Sequence, residues 1–296
     1  MSKLYGGVET GGTWCVCALG SAPGDIRELE TFPTTSPEET LDRIVAFFRA
    51  RDAPQAIGIG SFGPVDLDPD SPTWGQVTST PKPGWQRTPV ATVVREQLEV
   101  PVAFDTDVNA AALGEHRWGA GRELPSLCYL TVGTGIGAGL IVDGRPLRGL
   151  VHPEVGHLRV PRDQHRDPFA GNCPVHGDCW EGLASGAAIA ERWQCSPPEL
   201  PDDHSAWSLE AEYLALGILS IVCVASPHRV IVGGGVMERS LLLPAVRRRL
   251  VELVAGYLDT PLLGAEIESY LVAPELGDHA GVLGAIALAE LRSELS

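Results

Sequence analysis

The sequence predicts an α/β protein built from two similar layered domains, and three observations carry that expectation. Strand-like and helix-like patterns alternate in both halves of the chain. A strand, a Gly/Thr-rich turn and a second strand occur near the N-terminus (YGGVETGGTWCVCALG) and again at LTVGTGIGAGLIV in the second half. A later strand, at residues 229–232, ends in Gly233-Gly234-Gly235. With 296 residues, 44% of them hydrophobic, the chain can bury a substantial core.

In chain order, residues 5–12 and 14–20 read as two strands around a Gly-Gly turn, a concavity that can present N–H groups to phosphate oxygens. Ser36-Pro37-Glu38-Glu39 reads as a capping box, and Leu41, Ile44, Val45 and Phe48 then form one helix face. Residues 56–60 are a short buried strand. Its GIGSFG matches G-x-G-x-x-G, but Pro64-Val65-Asp66 follows where a dinucleotide fingerprint needs a helix. Residues 66–87 are loop-like and proline-rich, a length that is more often functional than neutral. Thr88-Pro89 opens a helix whose inward set is Val90, Val93, Val94 and Leu98. A strand at 102–104 delivers Asp105-Thr106-Asp107-Val108-Asn109 to the next helix, where open α/β sheets place ligands. One of Asp107 and Asn109 is expected to cap that helix. The second Gly-rich hairpin joins strands at 127–132 and 138–142. Helices are then expected at 187–194, 209–225, 241–258 and 279–291, with a strand at 270–273.

Between the hairpin and those helices lies HPEVGHLRVPRDQHRDPFAGNCPVHGDCWEGLASG, residues 152–186. Cys173, His176 and Cys179 stand at C-x2-H-x2-C spacing, with His157 sixteen residues upstream. Thiolates and imidazoles at such intervals can close a tetrahedral shell around Zn²⁺, and four protein ligands make that metal structural. His152 and His165 are near enough in sequence to compete as ligands. Glu154 and Glu181 suit a polyhydroxylated ligand, and Trp180 is expected to be packing.

A formal charge of −16 argues against nucleic acid as a partner, since non-specific affinity for it comes from Lys and Arg. Seven cysteines, five of them scattered, do not form a disulfide framework. MSKLYGGVET lacks the pattern of a signal peptide. The longest uncharged apolar run, 213–226, is short of the ~20 residues that span a bilayer. A cytoplasmic protein without a membrane partner is the expectation.

Taken together, these segments resemble the ROK sugar kinases, over almost the whole chain. ETGGT at 9–13 and GTGIGAG at 133–139 look like the two phosphate loops, VIVGGGV at 230–236 like the adenosine-side motif. TDVNAAALGE at 106–115 resembles the catalytic-aspartate segment, and HPEVGH with CPVHGDCWEGLASG the zinc and sugar signature. GIGSFGPVD, SPTWG, TPKPGW and ELGDHAG make it look like the family's zinc-containing bacterial fructokinase branch.

The resemblance implies an actin-like ATPase (ribonuclease H-like) fold, with two similar α/β domains flanking a cleft. Residues 1–115, completed by a closing helix over about 280–296, would form the smaller domain, and 116–279 the larger one with the zinc-stapled loop. It also implies ATP-dependent phosphorylation of a hexose, most readily D-fructose to fructose 6-phosphate. Mannose, glucose and N-acetylhexosamines are the alternative substrates, and a non-catalytic sugar-responsive regulator the alternative role. Asp107 would be the general base; Glu154, His157, Glu181 and Asp107 would bind the sugar. Gly11, Gly12, Thr13, Thr134, Gly135, Gly233, Gly234 and Gly235 would bind ATP. His157, Cys173, His176 and Cys179 would hold zinc, Mg²⁺ would arrive with ATP, and Glu9 would orient a water of that Mg²⁺. The family habit is a homodimer. Glu9 replaces the aspartate, and Thr106 the asparagine, that many relatives carry.

Overall fold

The computed structural model describes residues 3–294. The chain begins with strands β1 (Tyr5–Thr10), β2 (Trp14–Gly20) and β3 (Ile26–Pro33), then helix α1 (Pro37–Arg49), β4 (Ile57–Ser61), α2 (Val90–Leu98), β5 (Val102–Thr106) and α3 (Asp107–Trp118). It continues through β6 (Ser126–Val132), β7 (Ile136–Val142), β8 (Arg145–Pro146), α4 (Trp180–Ala184), α5 (Gly186–Trp193) and α6 (Ala206–Ala225). The last elements are β9 (Val230–Gly233), α7 (Leu242–Val254), α8 (Ile267–Tyr270), β10 (Leu271–Val272) and α9 (Ala280–Glu294). Two compact units result. One holds residues 1–125, 139–153 and 275–296; the other holds 126–138 and 154–274.

The two sheets have the same plan. The first has the order β3-β2-β1-β4-β5, with β1, β2 and β3 antiparallel and β4 and β5 parallel to β1. The second has the order β10-β9-β6-β7-β8, with β9 parallel to β6 and β10 to β9. Each is a meander of three strands continued on its far side by two parallel crossovers. The repeated strand–turn–strand pattern of the sequence therefore belongs to a repeated sheet.

In the first unit the central strands β1 and β4 are almost wholly buried, because α1 covers one face and α9 the other. Phe48 lies over Gly6, while the carbonyls of Val282 and Ala285 lie over Gly7 and Gly58. Every residue of α9 from Ala280 to Ala289 is buried, and its Gly/Ala-rich face also meets α3. There the backbones come so close that a Cβ at Gly284 would stand 1.6 Å from the Ala110 carbonyl oxygen. Only glycine allows that crossing.

The helix starts follow local chemistry. Ser36 accepts from the Glu39 N–H at 3.3 Å, as a cap should. The Glu39 carboxylate turns instead to the Thr35 hydroxyl at 2.7 Å. At α3 the cap is Thr106, which accepts from the Asn109 N–H at 3.0 Å. The expectation that Asp107 or Asn109 caps this helix is thereby corrected: the hydroxyl one residue earlier takes the N–H and leaves the Asp107 carboxylate for other work.

The 66–87 segment is ordered by its own polar groups and by one large side chain. Asp66 accepts from the hydroxyls of Ser71 and Thr73, both at 2.6 Å. Val77 bridges to Val65 and Thr88. Trp85 is fully buried against Phe62, and its indole N–H donates to the Thr35 carbonyl at 2.8 Å. In the second unit α6 extends well before the apolar run of the sequence. Among the described residues it is the one helix long and apolar enough, by length and composition, to cross a membrane, and half of its most apolar window is buried inside the protein.

Glu115, fully buried at the end of α3, ties two loops to the helix. Its carboxylate accepts from the N–H groups of Ala120 (2.7 Å), Leu276 (2.9 Å) and Glu275 (3.2 Å). Glu115→Ala leaves three N–H groups without an acceptor, each worth about 1–3 kcal/mol when buried. Since two of the three bonds are only part-buried, a loss of about 3–6 kcal/mol is expected, and a smaller one for Glu115→Gln, which keeps one acceptor oxygen. Urea midpoints followed by tryptophan fluorescence check this, and equal midpoints for the two variants would contradict it.

Candidate active site and metal centre

The first unit brings two acids together, and among the described residues no cation is paired with either. Asp107, at the first position of α3, accepts from the Val108 N–H through one oxygen at 2.8 Å. Burial pushes its carboxyl up to about 6, opposed by that N–H and its own. Glu9, at the end of β1, is pushed up to about 7, first by burial and then by the negative charge of Asp107. The N–H of Val282 at the start of α9 partly offsets this, and Asp278 adds to it. A Cβ at Gly281 would strike the Glu9 carboxylate, so α9 shelters the pair. A carboxylate poised near neutrality suits proton transfer far better than one at the ordinary ~4.

Asp105, two residues earlier, is committed to structure. One of its oxygens accepts from the Thr106 N–H (2.8 Å) and the Asn109 side-chain amide (2.7 Å). The other accepts from Arg148 at 2.7 Å, an ion pair whose carboxylate is fully buried. This network fixes the backbone on both sides of Asp107.

The first Gly-rich turn, containing Gly11, Gly12 and Thr13, joins β1 to β2. The Gly11 N–H donates to the Trp14 carbonyl at 2.9 Å. Thr34 braces the turn, donating through its hydroxyl to the Gly11 carbonyl and through its N–H to the Thr13 carbonyl, both at 2.8 Å. The Lys82 ammonium rests on the same turn and donates to the Gly12 carbonyl at 2.7 Å.

In the second unit, the four expected metal ligands converge. The donor atoms of His157, Cys173, His176 and Cys179 lie within 4.8 Å of one another. His157 Nδ1 is 3.5 Å from Cys179 Sγ and 3.9 Å from Cys173 Sγ, and Cys173 Sγ is 3.7 Å from His176 Nδ1. Tetrahedral Zn²⁺, with bonds of about 2.3 Å to sulfur and 2.0–2.1 Å to nitrogen, requires S···N edges of about 3.6 Å. The cluster therefore fits such an ion. Both histidines turn Nδ1 inward, which leaves His157 Nε2 facing away from the cluster. The knuckle is closed by paired hydrogen bonds between Cys173 and Gly177, at 2.9 and 3.1 Å. His152 and His165 stand outside it. His152 is buried and accepts from the Val65 N–H at 3.0 Å, and His165 is exposed on a turn.

Glu181 is the second residue of α4, the short helix after the knuckle, and accepts from the Ile136 N–H at 2.9 Å. It thereby joins the metal loop to the second Gly-rich turn. Gly135 leaves the space for it, since a Cβ there would lie 2.5 Å from the Glu181 carboxylate. The same turn is held by the Gly186 N–H, which donates to the Gly133 carbonyl at 2.7 Å. Thr134 at its tip is exposed, as is Glu154 beside the 3₁₀ turn of His157. In the Gly233–Gly235 segment Gly234 has φ +95°, and a Cβ there would meet the Val132 carbonyl at 2.5 Å. Trp180 is wholly buried over Gly217 of α6.

A second anchor of the metal loop was not visible in the sequence. Asp167, 3% exposed, accepts from Arg192 through both oxygens at 3.2 Å and from the Tyr213 hydroxyl at 2.6 Å. Arg192 also donates to the Leu183 carbonyl in α4, and Arg162 to the carbonyls of Asp167 and Phe169. This network fixes the middle of the loop between His157 and Cys173 without using a metal ligand.

Known proteins match this architecture throughout. The model of the ROK family matches residues 5–292. A putative fructokinase of Bacillus subtilis is 45% identical over 97% of this chain and 95% of its own length. The fructokinase of Zymomonas mobilis is also 45% identical, over 97% of this chain and 96% of its own. The crystal structure of a ROK family glucokinase from Streptomyces griseus, in complex with glucose and AMPPNP, superposes with a TM-score of 0.78 at 27% identity. That match covers 97% of this chain and 99% of the glucokinase. With a repeated α/β unit of the actin-like kind, a half-buried aspartate at the start of α3 and a four-ligand His/Cys knuckle, the chain belongs to the ROK family.

Proposed function

We propose that the chain is an ATP-dependent fructokinase, transferring the γ-phosphoryl group of Mg-ATP to the 6-hydroxyl of D-fructose. The observation that carries the reading is Asp107, a half-buried carboxylate freed from capping by Thr106 and raised to about 6. Two relatives of 45% identity bearing the name fructokinase support fructose as the acceptor. The neighbour solved with glucose and AMPPNP supports a sugar and a nucleotide as the pair of ligands.

In this reading Asp107 takes the proton of the attacking hydroxyl through the oxygen that Val108 leaves free. Transfer passes through a loose transition state, so the proton leaves late and a weak base suffices. Glu154, Glu181 and His157 Nε2 bind other sugar hydroxyls and hold the acceptor in line. Backbone N–H groups of Gly12 and Gly135, with the hydroxyls of Thr13 and Thr134, receive the phosphates, while Gly11, whose N–H is taken by the Trp14 carbonyl, shapes the turn. Gly233, Gly234 and Gly235 let the backbone approach the nucleoside. Mg²⁺ arriving with ATP would supply neutralisation of the phosphate charge, and Glu9 would orient one of its waters. His157, Cys173, His176 and Cys179 would hold a structural Zn²⁺, whose four protein ligands keep the loop in shape. A cytoplasmic setting is supported by seven unpaired cysteines, and the charge of −16 supports no role for nucleic acid. A homodimer rests on the family resemblance.

Initial rates of ADP release with Mg-ATP, over fructose, mannose, glucose and N-acetylhexosamines, test the substrate. Fructose should give the highest kcat/KM, and a higher value for another hexose reassigns the acceptor.

Asp107→Asn should lower kcat by about 10²–10⁴-fold while the fold stays intact. Its stability should depend on pH in one direction. The folded protein holds the Asp107 proton more tightly than the unfolded chain, with 3.8 raised to about 6. The group's contribution to stability is thus complete below about pH 4 and lost as pH rises through about 6. The variant should therefore be the more stable protein at pH 8, by up to about 3 kcal/mol, with no difference at pH 4. Thermal midpoints at the two pH values decide this.

Elemental analysis of protein purified without chelator should find one zinc per chain, and Cys179→Ser should bind substoichiometric metal. Full zinc occupancy in that variant would remove Cys179 from the ligand set.

A further inference from the structure

Lysine occurs only twice in the sequence, at positions 3 and 82, against twenty arginines. Lys82 lies in the loop between β4 and α2. Its ammonium donates to the Gly12 carbonyl at 2.7 Å and to the Thr34 carbonyl at 3.3 Å. Both acceptors belong to braced backbone, because Thr34 is bonded to Gly11 and Thr13 across the turn. Trp85, three residues further on, pins the base of the loop to the Thr35 carbonyl. Among the described residues Lys82 forms no ion pair, whereas the Arg148, Arg192 and Arg249 guanidiniums are each bonded to a carboxylate. Holding a lysine in one geometry costs up to about 2 kcal/mol of side-chain entropy, and two carbonyl acceptors leave its charge unneutralised.

An ammonium has three N–H donors and no acceptor. Two are taken by Gly12 and Thr34, and one remains, on the turn read above as a phosphate loop. A compact cation without a counter-ion, in a chain of net charge −16, is a site for an anion. We propose that Lys82 is a catalytic residue, which donates its remaining N–H to the terminal phosphate of bound ATP. It steadies the charge on the phosphoryl oxygens during transfer, and no proton or bond is exchanged with it. The inference rests on the kinase reading and goes beyond it by assigning this contact to the loop of residues 66–87.

The rival role for Lys82 is a clamp that only holds the turn, and nucleotide binding separates the two. Affinities of the full-length protein for ADP and for AMPPNP, each with Mg²⁺, are measured by calorimetry for wild type, Lys82→Met and Lys82→Arg. Fructose-dependent kcat is measured alongside. Lys82→Met is expected to bind AMPPNP about 10- to 100-fold more weakly, the worth of a charge-assisted hydrogen bond, with ADP affinity unchanged. Its kcat should fall by about 100-fold, and Lys82→Arg should recover part of it. Equal losses for both nucleotides make Lys82 a clamp and overturn the proposal, as does no loss for either. Should Lys82→Met fail to fold, Lys82→Gln carries the same comparison, since its amide can still donate to the carbonyls without charge. A wild type that binds neither nucleotide and releases no ADP sinks the kinase reading itself, an outcome distinct from an active wild type with an unaffected variant.

Discussion

The first unit depends on how closely α9 approaches β1, β4 and α3. A helix with ordinary side chains would stand off by the 8–10 Å usual between packed helices. Gly281 and Gly284 in α9, and Gly7, Gly58 and Gly114 opposite, remove the atoms that would enforce that distance. The closeness sets the chemistry as well as the packing. It brings the N–H of Val282 to Glu9 and leaves that carboxylate half-buried, which raises it. Apolar area contributes here through many small contacts, where a residue enlarged by one methyl group has nowhere to go.

A fold that raises Asp107 and Glu9 accepts a cost. Each carboxyl is harder to ionise than in water, and above neutrality the unpartnered charges oppose folding. Glu115 and Asp105 show the contrast on the same helix. Both are fully buried, and each is surrounded by donors: three N–H groups for Glu115; an N–H, an amide and a guanidinium for Asp105. Carboxylates that serve structure are satisfied, and the one read as the base is left short of partners. Strain of this kind at one position of an otherwise consistent helix is what a functional site looks like.

Much of this was legible in the sequence because it is local. C-x2-H-x2-C with an upstream histidine needs no tertiary information to suggest a metal shell, and the four donors do converge. The alternation of elements was readable, as was the repeat of the Gly-rich hairpin. What escaped lies in two classes. Strand β3 buries only Phe32 fully and exposes Arg27, Glu28 and Leu29, so an edge strand with little apolar periodicity left no signal. The other class is polar pairs far apart in sequence. Asp167 meets Arg192 and Tyr213, Arg148 meets Asp105, and Lys82 meets Gly12, all through folding alone. Thr106 is intermediate: hydroxyls cap well, yet two better-known caps stood beside it and drew the assignment to themselves.

The composition of the first unit also constrains the order in which the protein can form. Its sheet comes from residues 5–106, but α9, which covers one face of that sheet, is residues 280–294. During synthesis the strands emerge early with Gly7 and Gly58 facing an unfilled groove, and the helix that fills it leaves the ribosome after the whole of the other unit. Residues 154–274 can therefore reach their native contacts while the earlier part still waits, at a chain separation that makes closure slow. The unit that is translated first is finished last, and in that interval its exposed central strands are the part of the chain most in need of a chaperone.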